Sequence, residues 1–319
     1  MQAKRSLGAA GGPSSASVII ATYNRGEILP RTLDTVLNQT CQGFRVIVVD
    51  QSPVTAPELA SYLEAHGDRV EYYRLTRPNL PAARNFGIRK AAGEIIIFVD
   101  DDVEVPPDYV ANHLMSYEDE RVAGVTGLTF SSPEQTLDYV VAGSWRGYGI
   151  RGPVSDSPVP VTWLDGCNMS YRREALVEAG LFDERFTGSA WAEDRDMAVR
   201  VRRLGHRLVL NPKVRLLHLA LPSGGCSARD PELKERVHRE RARLWTLYCV
   251  KNWDMVGFRD VVTALFRGYR ALALNRPLFR AGMRRVLRGH VVYFGVVIDA
   301  LRSGPPPFRR RGRSAQCGY

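Results

Sequence analysis

Long hydrophobic runs are missing from this sequence. No apolar stretch approaches the roughly 20 residues that a helix needs to cross a bilayer. The best candidate, Val291 to Ile298, is too short and contains Gly295. The segment Met1 to Ser17 is small and polar, with Lys4 and Arg5 but no apolar core of a secretion signal. Cysteine is scarce: Cys41, Cys167, Cys226, Cys249 and Cys317 lie far apart with no C-x-x-C pair. That spacing excludes a disulfide framework and a clustered zinc site. Neither G-x-G-x-x-G nor G-x-x-x-x-G-K-[ST] occurs, so a dinucleotide fingerprint and a P-loop are both excluded. Internal repeats are absent. Together these absences predict a cytoplasmic protein.

What is present is a chain of 319 residues, 45% hydrophobic, long enough for one large α/β domain with an appendage. Its charge of +10 is unevenly spread. Residues 1–199 carry 18 basic and 27 acidic side chains, whereas 26 basic and 7 acidic follow from Arg200 onward. An acidic body with a basic C-terminal part predicts a polyanionic partner for the latter.

Short apolar runs alternate with helix-like spacing. Val18 to Ala21, Arg45 to Val49, Val70 to Leu75 and Ile95 to Val99 read as buried strands. Between them Leu29 to Leu37, Pro57 to Ala65 and Ala82 to Ala92 read as helices, the last ended by Gly93. Such alternation predicts a doubly wound, mostly parallel sheet of Rossmann-like character. Three strands end in polar residues (Thr22 and Tyr23, Asp50, Asp100 to Asp102), at the edge where open α/β sheets bind ligands. Beyond Pro107 the pattern is mixed: strands are predicted at Gly124 to Phe130 and Trp163 to Tyr171, helices at Arg173 to Ala179 and Ala192 to Leu204, and a loop-rich stretch at Ser131 to Pro160. The stretch Pro231 to Leu301 is predicted helical. One apolar stripe there holds Phe258, Val261, Val262, Leu265, Phe266, Tyr269, Leu272 and Ala273; a second holds Phe279, Met283, Val286, Leu287, Val291, Phe294 and Ile298. The expected organisation is a tail over 1–16, a catalytic domain over 17–225, an amphipathic helical region over 226–303 and a basic tail over 304–319.

Two constellations carry chemistry. In FVDDD (Phe98 to Asp102) three successive carboxylates repel one another unless a cation neutralises them. Oxygen donors of this kind suit Mg²⁺ or Mn²⁺, ions that also grip diphosphates. Strand alternation puts Asp100 and Asp102 on one side, a D-x-D arrangement in which the two share the ion or its waters; a solvated acidic turn is the competing reading. A haloacid dehalogenase-type phosphohydrolase would use D-x-D-x-[TV] here, but Glu104 occupies the last position. In WAEDRDMAVRVRRLG (Trp191 to Gly205), Asp194, Met197, Val201 and Leu204 share a helical face, so Asp194 points inward at the helix start. An inward carboxylate there can serve as a general base. The competing reading is a first-turn acid paired with Arg195 or Arg200.

These stretches, with SVIIATYNR, VIVVDQS, NLPAARNFGIRKAAGEIIIFVDDD and DGCNMSYRREALVEAGLFDERF, resemble the family-2 glycosyltransferases of the GT-A fold. The resemblance runs in the family's order from about Ser17 to His218. It implies a nucleotide-sugar donor, an inverting single displacement and a Mn²⁺ or Mg²⁺ cofactor. It also implies a role for each matching position. Ala21, Thr22 and Tyr23 line the base pocket and Asp50 accepts hydrogen bonds from the base. Arg84 faces the diphosphate and Asp101 the ribose. Asp100 and Asp102 hold the metal, with His218 as a third ligand or else a structural histidine. Gly166, Cys167 and Asn168 lie near the donor sugar and acceptor. Asp194 is the catalytic base and Glu193 orients a substrate sugar. Absence of a Q-x-x-R-W motif and of membrane helices favours single addition over polymer synthesis. The acceptor is expected to be a carbohydrate or lipid-linked molecule in cell-surface polysaccharide or glycolipid assembly. The basic helices either dock on the body or rest on an anionic membrane surface, while nucleic acid is not an expected partner. Two other classes compete: a non-catalytic nucleotide-sugar-binding module, and a glycosidase, which leaves Asp50 and Asp100 to Asp102 without a role.

Overall fold

The computed structural model describes residues 15–130, 132, 157–219, 231–272 and 283–302. Two compact units divide the chain, Met1–Glu240 and Arg241–Tyr319. The boundary expected between 225 and 226 lies outside the described residues.

The first unit is built on a nine-stranded sheet among the described residues. Four strands pair in parallel in the order β3 (Val70–Arg74), β2 (Phe44–Asp50), β1 (Ala16–Thr22), β4 (Ile95–Val99). The predicted strands are therefore present, and β1 begins at Ala16, inside the expected tail. Alternation decides which face each residue serves. Val18, Ile20, Val46, Val48, Ile95 and Ile97 pack on one side against α1 (Leu29–Leu37), α2 (Pro57–His66) and α4 (Tyr109–Met115). Ile19, Ile47, Val49, Ile96 and Phe98 pack on the other against α3 (Leu80–Lys90), α5 (Arg173–Glu178) and α6 (Glu193–Arg203). Burying both faces explains why these strands read as continuous apolar runs.

Beyond β4 the sheet becomes mixed. Strand β8 (Asn168–Arg172) lies antiparallel between β4 and β6 (Val122–Phe130). Strand β9 (Arg207–His218) runs parallel to β6, and the two-residue strands β5 (Val103–Glu104) and β7 (Val159–Pro160) pair antiparallel to it. The strand predicted over Trp163 to Tyr171 is shorter than expected. Asp165 and Asn168 close a turn, with Asn168 N donating to Asp165 O at 2.9 Å, and the strand starts only there. Helix α3 starts at Leu80, two residues early. Asn79 caps it by accepting from Ala82 N at 3.0 Å, and Pro81 falls in the first turn, where a missing N–H costs nothing. Gly205, with φ +89, ends α6 as predicted. Helix α4 was not expected, since five of its seven residues are buried and show little periodicity.

The second unit contains the rest of α7 (Pro231–Lys251), α8 (Phe258–Leu272) and α9 (Met283–Arg302). Helices α8 and α9 join through Tyr269 Oη and His290 Nε2 at 2.9 Å and through Tyr293 Oη donating to Leu265 O. Among the described side chains, several members of the predicted stripes are exposed. Phe258, Val262 and Phe266 are exposed along one edge of α8, as are Val291, Phe294 and Ile298 on α9. Ala273 and Phe279 lie outside the described residues. No described helix is long and apolar enough to cross a membrane.

Candidate functional site

The carboxyl ends of β1, β2 and β4 open into a cavity of about 820 Å³. Its wall includes Ala21, Thr22 and Tyr23 after β1, Gln51 after β2, Asp100 and Asp101 after β4, Gly166, Glu193, Asp194 and His218. Ten of the predicted site residues, Arg84 of α3 among them, thus line one crevice, although they come from six separate stretches of sequence. Three predicted residues do not line it: Asp50, Asn168 and the fully buried Asp102. Asp50 is buried, its carboxylate accepting from Tyr72 Oη and from Ser52 N, both at 2.7 Å, and Gln51 faces the cavity in its place. Asn168 is fully buried within the sheet, accepting from Tyr109 Oη at 2.9 Å and donating to Leu128 O at 3.1 Å.

The three aspartates after β4 take different roles. Asp101 turns inward, accepting from Thr22 Oγ1 at 2.7 Å and from Arg25 at 2.8 Å. Burial pushes its carboxyl up to about 6 against the pull of Arg25 and Thr22. Both of its oxygens are engaged, so it forms the floor of the cavity. Asp102 is fully buried, with Oδ2 3.0 Å from Arg25 and Oδ1 3.6 Å from His218 Nε2. Asp100 is the most open of the three, 3.5 Å from His218 Nε2 and 3.9 Å from Arg84. Burial raises its carboxyl, but His218, Arg84 and Arg25 outweigh that and hold it below the usual carboxylate range. Contact with Asp100 shifts the His218 imidazole upward, and the nearby Asp102 adds to the shift.

His218 reaches this place because its residue pairs with Val103 across β5 and β9, one position beyond Asp102. One ligand atom each from Asp100, Cys167 and His218 lies within 4.8 Å of the others. An oxygen, a nitrogen and a sulfur converge from three elements beside the fully buried Asp102. The donor set fits a divalent cation.

Next to Asp100, Arg84 and Glu193 form a buried ion pair, and Arg84 also donates to Gly166 O at 2.9 Å. Burial pushes the Glu193 carboxyl well up, with Arg84 opposing it. Gly166 stands close to this group: a Cβ there would lie 3.6 Å from Asp194 Oδ2. Asp194 is half-buried and lines the cavity, while the fully buried acid of α6 is Asp196, paired with Arg200 at 2.9 Å. Leu204, expected on the buried face, is exposed. Helix α6 starts from Ala192, whose φ of 74 is left-handed, and follows Ala190 at φ 50. These positions turn the chain so that Glu193 and Asp194 meet the cavity at a helix N-terminus. Sequence reasoning missed Arg25, Gln51, Trp163 and Asp165 in this wall. Arg25 leaves a signal only together with the topology, as a cation just past the strand that runs beside the three aspartates.

The family model for glycosyl transferase family 2 matches residues 17–180. The chain is 28% identical over 224 residues to the O-antigen biosynthesis protein RfbC of Myxococcus xanthus, covering 65% of this chain and 17% of that protein. It is 27% identical over 178 residues to the GalNAc(5)-diNAcBac-PP-undecaprenol beta-1,3-glucosyltransferase of Campylobacter jejuni, covering 54% of this chain and 56% of the relative. The chain thus spans less than two thirds of the length of either relative. Its fold resembles that of the mannosyltransferase PcManGT from Pyrobaculum calidifontis in complex with GDP-Man and Mn²⁺, with a TM-score of 0.55, 19% identity, and coverage of 90% of this chain and 85% of that one. The protein belongs to glycosyl transferase family 2 and has the GT-A fold.

Proposed function

We propose that the chain is an inverting glycosyltransferase that moves a sugar from a nucleotide-diphosphate sugar to an acceptor hydroxyl in cell-surface polysaccharide or glycolipid assembly. The observation that carries this reading is that Asp194 and the Asp100–His218 pair line one cavity at the carboxyl edge of the sheet. Asp194 takes the proton of the acceptor hydroxyl as that oxygen bonds to the sugar C1, and the bond from C1 to the diphosphate breaks on the opposite face. Thr22, Tyr23 and Gln51 border the part of the cavity suited to the nucleoside. Arg84 is held by Glu193 and Gly166, so it meets the charge of the diphosphate without reorganising. Asp100, Asp102 and His218 would hold Mn²⁺ or Mg²⁺, which when bound stabilises charge on a departing diphosphate.

Names of relatives support the substrate class: one acts in O-antigen biosynthesis and one on an undecaprenol-linked glycan. A lipid-linked acceptor gives the second unit a task. From Arg241 onward the chain carries 16 basic and 3 acidic residues, and α8 exposes Phe258, Val262 and Phe266 beside Arg259 and Arg267. We place this surface on an anionic membrane at the cytoplasmic face. Sedimentation with phosphatidylglycerol vesicles tests that placement; binding equal to that of phosphatidylcholine vesicles contradicts it.

The test of the function is release of nucleoside diphosphate from a panel of UDP-, GDP- and dTDP-sugars, with and without Mn²⁺, for the wild type and Asp194→Asn. One donor is expected to be turned over with metal, and the variant is expected to be inactive. Binding of a donor with no turnover on any sugar or lipid-linked acceptor would point to the non-catalytic module instead.

A further inference from the structure

The cysteine beside the aspartates has no task in the reaction described above. We propose that the Cys167 sulfur is a ligand of the same divalent cation as Asp100 and His218. The site then prefers a borderline cation such as Mn²⁺, Co²⁺ or Zn²⁺ over Mg²⁺. This inference rests on the metal reading of the cavity and sharpens it.

The placement follows from strand register. In the antiparallel pair of β4 and β8, Val99 stands opposite Asn168. Continuing that register by one residue sets Asp100 opposite Cys167. The turn closed by Asp165 and Asn168 keeps Cys167 there rather than letting the strand continue. His218 arrives from β9, whose end pairs with β5 immediately after the aspartates. Three chemically different donors therefore meet with their ligating atoms within 4.8 Å of one another. Donors bound to one cation at about 2.0–2.3 Å stand at such separations with little adjustment. Cys167 lines the cavity and its sulfur lies 3.7 Å from Thr129 Oγ1, a contact weak enough to yield to a metal bond.

Chemistry supplies the preference. Mg²⁺ is hard, demands near-octahedral oxygen coordination and dehydrates reluctantly, so an imidazole and a sulfur suit it poorly. Thiolate and imidazole raise affinity for later divalent metals along the Irving–Williams order. A cation held this way keeps positions for diphosphate oxygens while the protein supplies a mixed O, N, S set.

Cobalt makes the ligand visible. Co²⁺ is titrated into the full-length protein, alone and with UDP, GDP or dTDP in turn, and absorption is recorded from the near ultraviolet to the visible. The wild type is expected to show a sulfur-to-cobalt charge-transfer band together with the weaker visible bands of bound Co²⁺. Cys167→Ser is expected to lose the charge-transfer band and keep the visible ones. Cys167→Ala serves the same comparison if the serine variant does not fold. Visible bands without charge transfer in the wild type overturn the Cys167 assignment and leave the metal reading intact. A charge-transfer band that survives in both variants overturns it as well, by placing the sulfur elsewhere. No cobalt spectrum under any nucleotide overturns the metal reading and the inference together.

Discussion

Arg84 on α3 and Glu193 at the start of α6 are 109 positions apart in sequence and form an ion pair in which both side chains are at most 5% exposed. The pair ties α3 to the helix that carries Asp194. Removing one partner strands the other charge in the interior. Glu193→Ala is expected to lower the unfolding free energy by about 3–5 kcal/mol in urea denaturation. The double variant Arg84→Met, Glu193→Leu is expected to recover most of that loss while remaining inactive. Equal stability of Glu193→Ala and the wild type would mean that the pair is solvated.

Asp194→Asn removes the proposed base and leaves the rest of the cavity in place. Transfer is expected to fall by about 10²–10⁴-fold, with affinity for the nucleoside diphosphate unchanged by calorimetry. A parallel loss of nucleotide affinity would move Asp194 from proton transfer to donor binding.

Ala192 begins α6 with φ 74, a conformation that costs a residue with a Cβ about 1–2 kcal/mol. Ala192→Gly relieves that cost but adds freedom to the unfolded chain. The net expectation is a gain of about 1 kcal/mol, read as a higher midpoint of denaturation at constant m-value. A destabilised variant would show that Ala192 contributes packing that outweighs its backbone cost.

His113 on α4 is fully buried, and burial pushes its imidazole down from 6.5 to about 3, so it stays neutral in the folded protein. The unfolded chain protonates this residue near its ordinary value. A depressed histidine pKa therefore costs no stability above pH 6.5, and the penalty grows as pH falls from 6.5 toward about 3. The total is on the order of a few kcal/mol. Stability of the wild type is expected to fall relative to His113→Gln across that window, measured by denaturation at stepped pH. Parallel profiles for the two proteins would rule out titration of His113.

The parallel half of the fold was readable because each strand is buried on both faces and so appears as an unbroken apolar run such as Ile95 to Val99. Polar residues at the ends of those runs marked the crevice. The antiparallel insertion of β8 could not be read, because direction depends on long-range pairing with β4 and leaves no local signal. That is why Cys167 stayed next to Asp100 in space but not in the reading of the sequence. The spacing Asp194, Met197, Val201, Leu204 overstated the buried face: Met197 and Val201 are buried, Leu204 is exposed, and Asp196 with Arg200 forms the buried pair. The i to i+4 spacing of Asp196 and Arg200 was visible, but burial on that side was not. Asp50 and Asn168 were expected at the cavity from the resemblance, and each instead satisfies hydrogen bonds inside the sheet. Arg25 neutralises two of the three clustered aspartates, a role legible only once β1 and β4 are known to be neighbours.

The most direct measurement is a thermal-shift series with UDP, GDP and dTDP, each with and without Mn²⁺, on the wild type and on Asp102→Ala. Stabilisation by one nucleotide that requires Mn²⁺ and vanishes in the variant is the predicted result, and it would also name the base. If no nucleotide stabilises the wild type under any metal condition, the nucleotide-sugar site is contradicted and the carboxylates after β4 need another explanation.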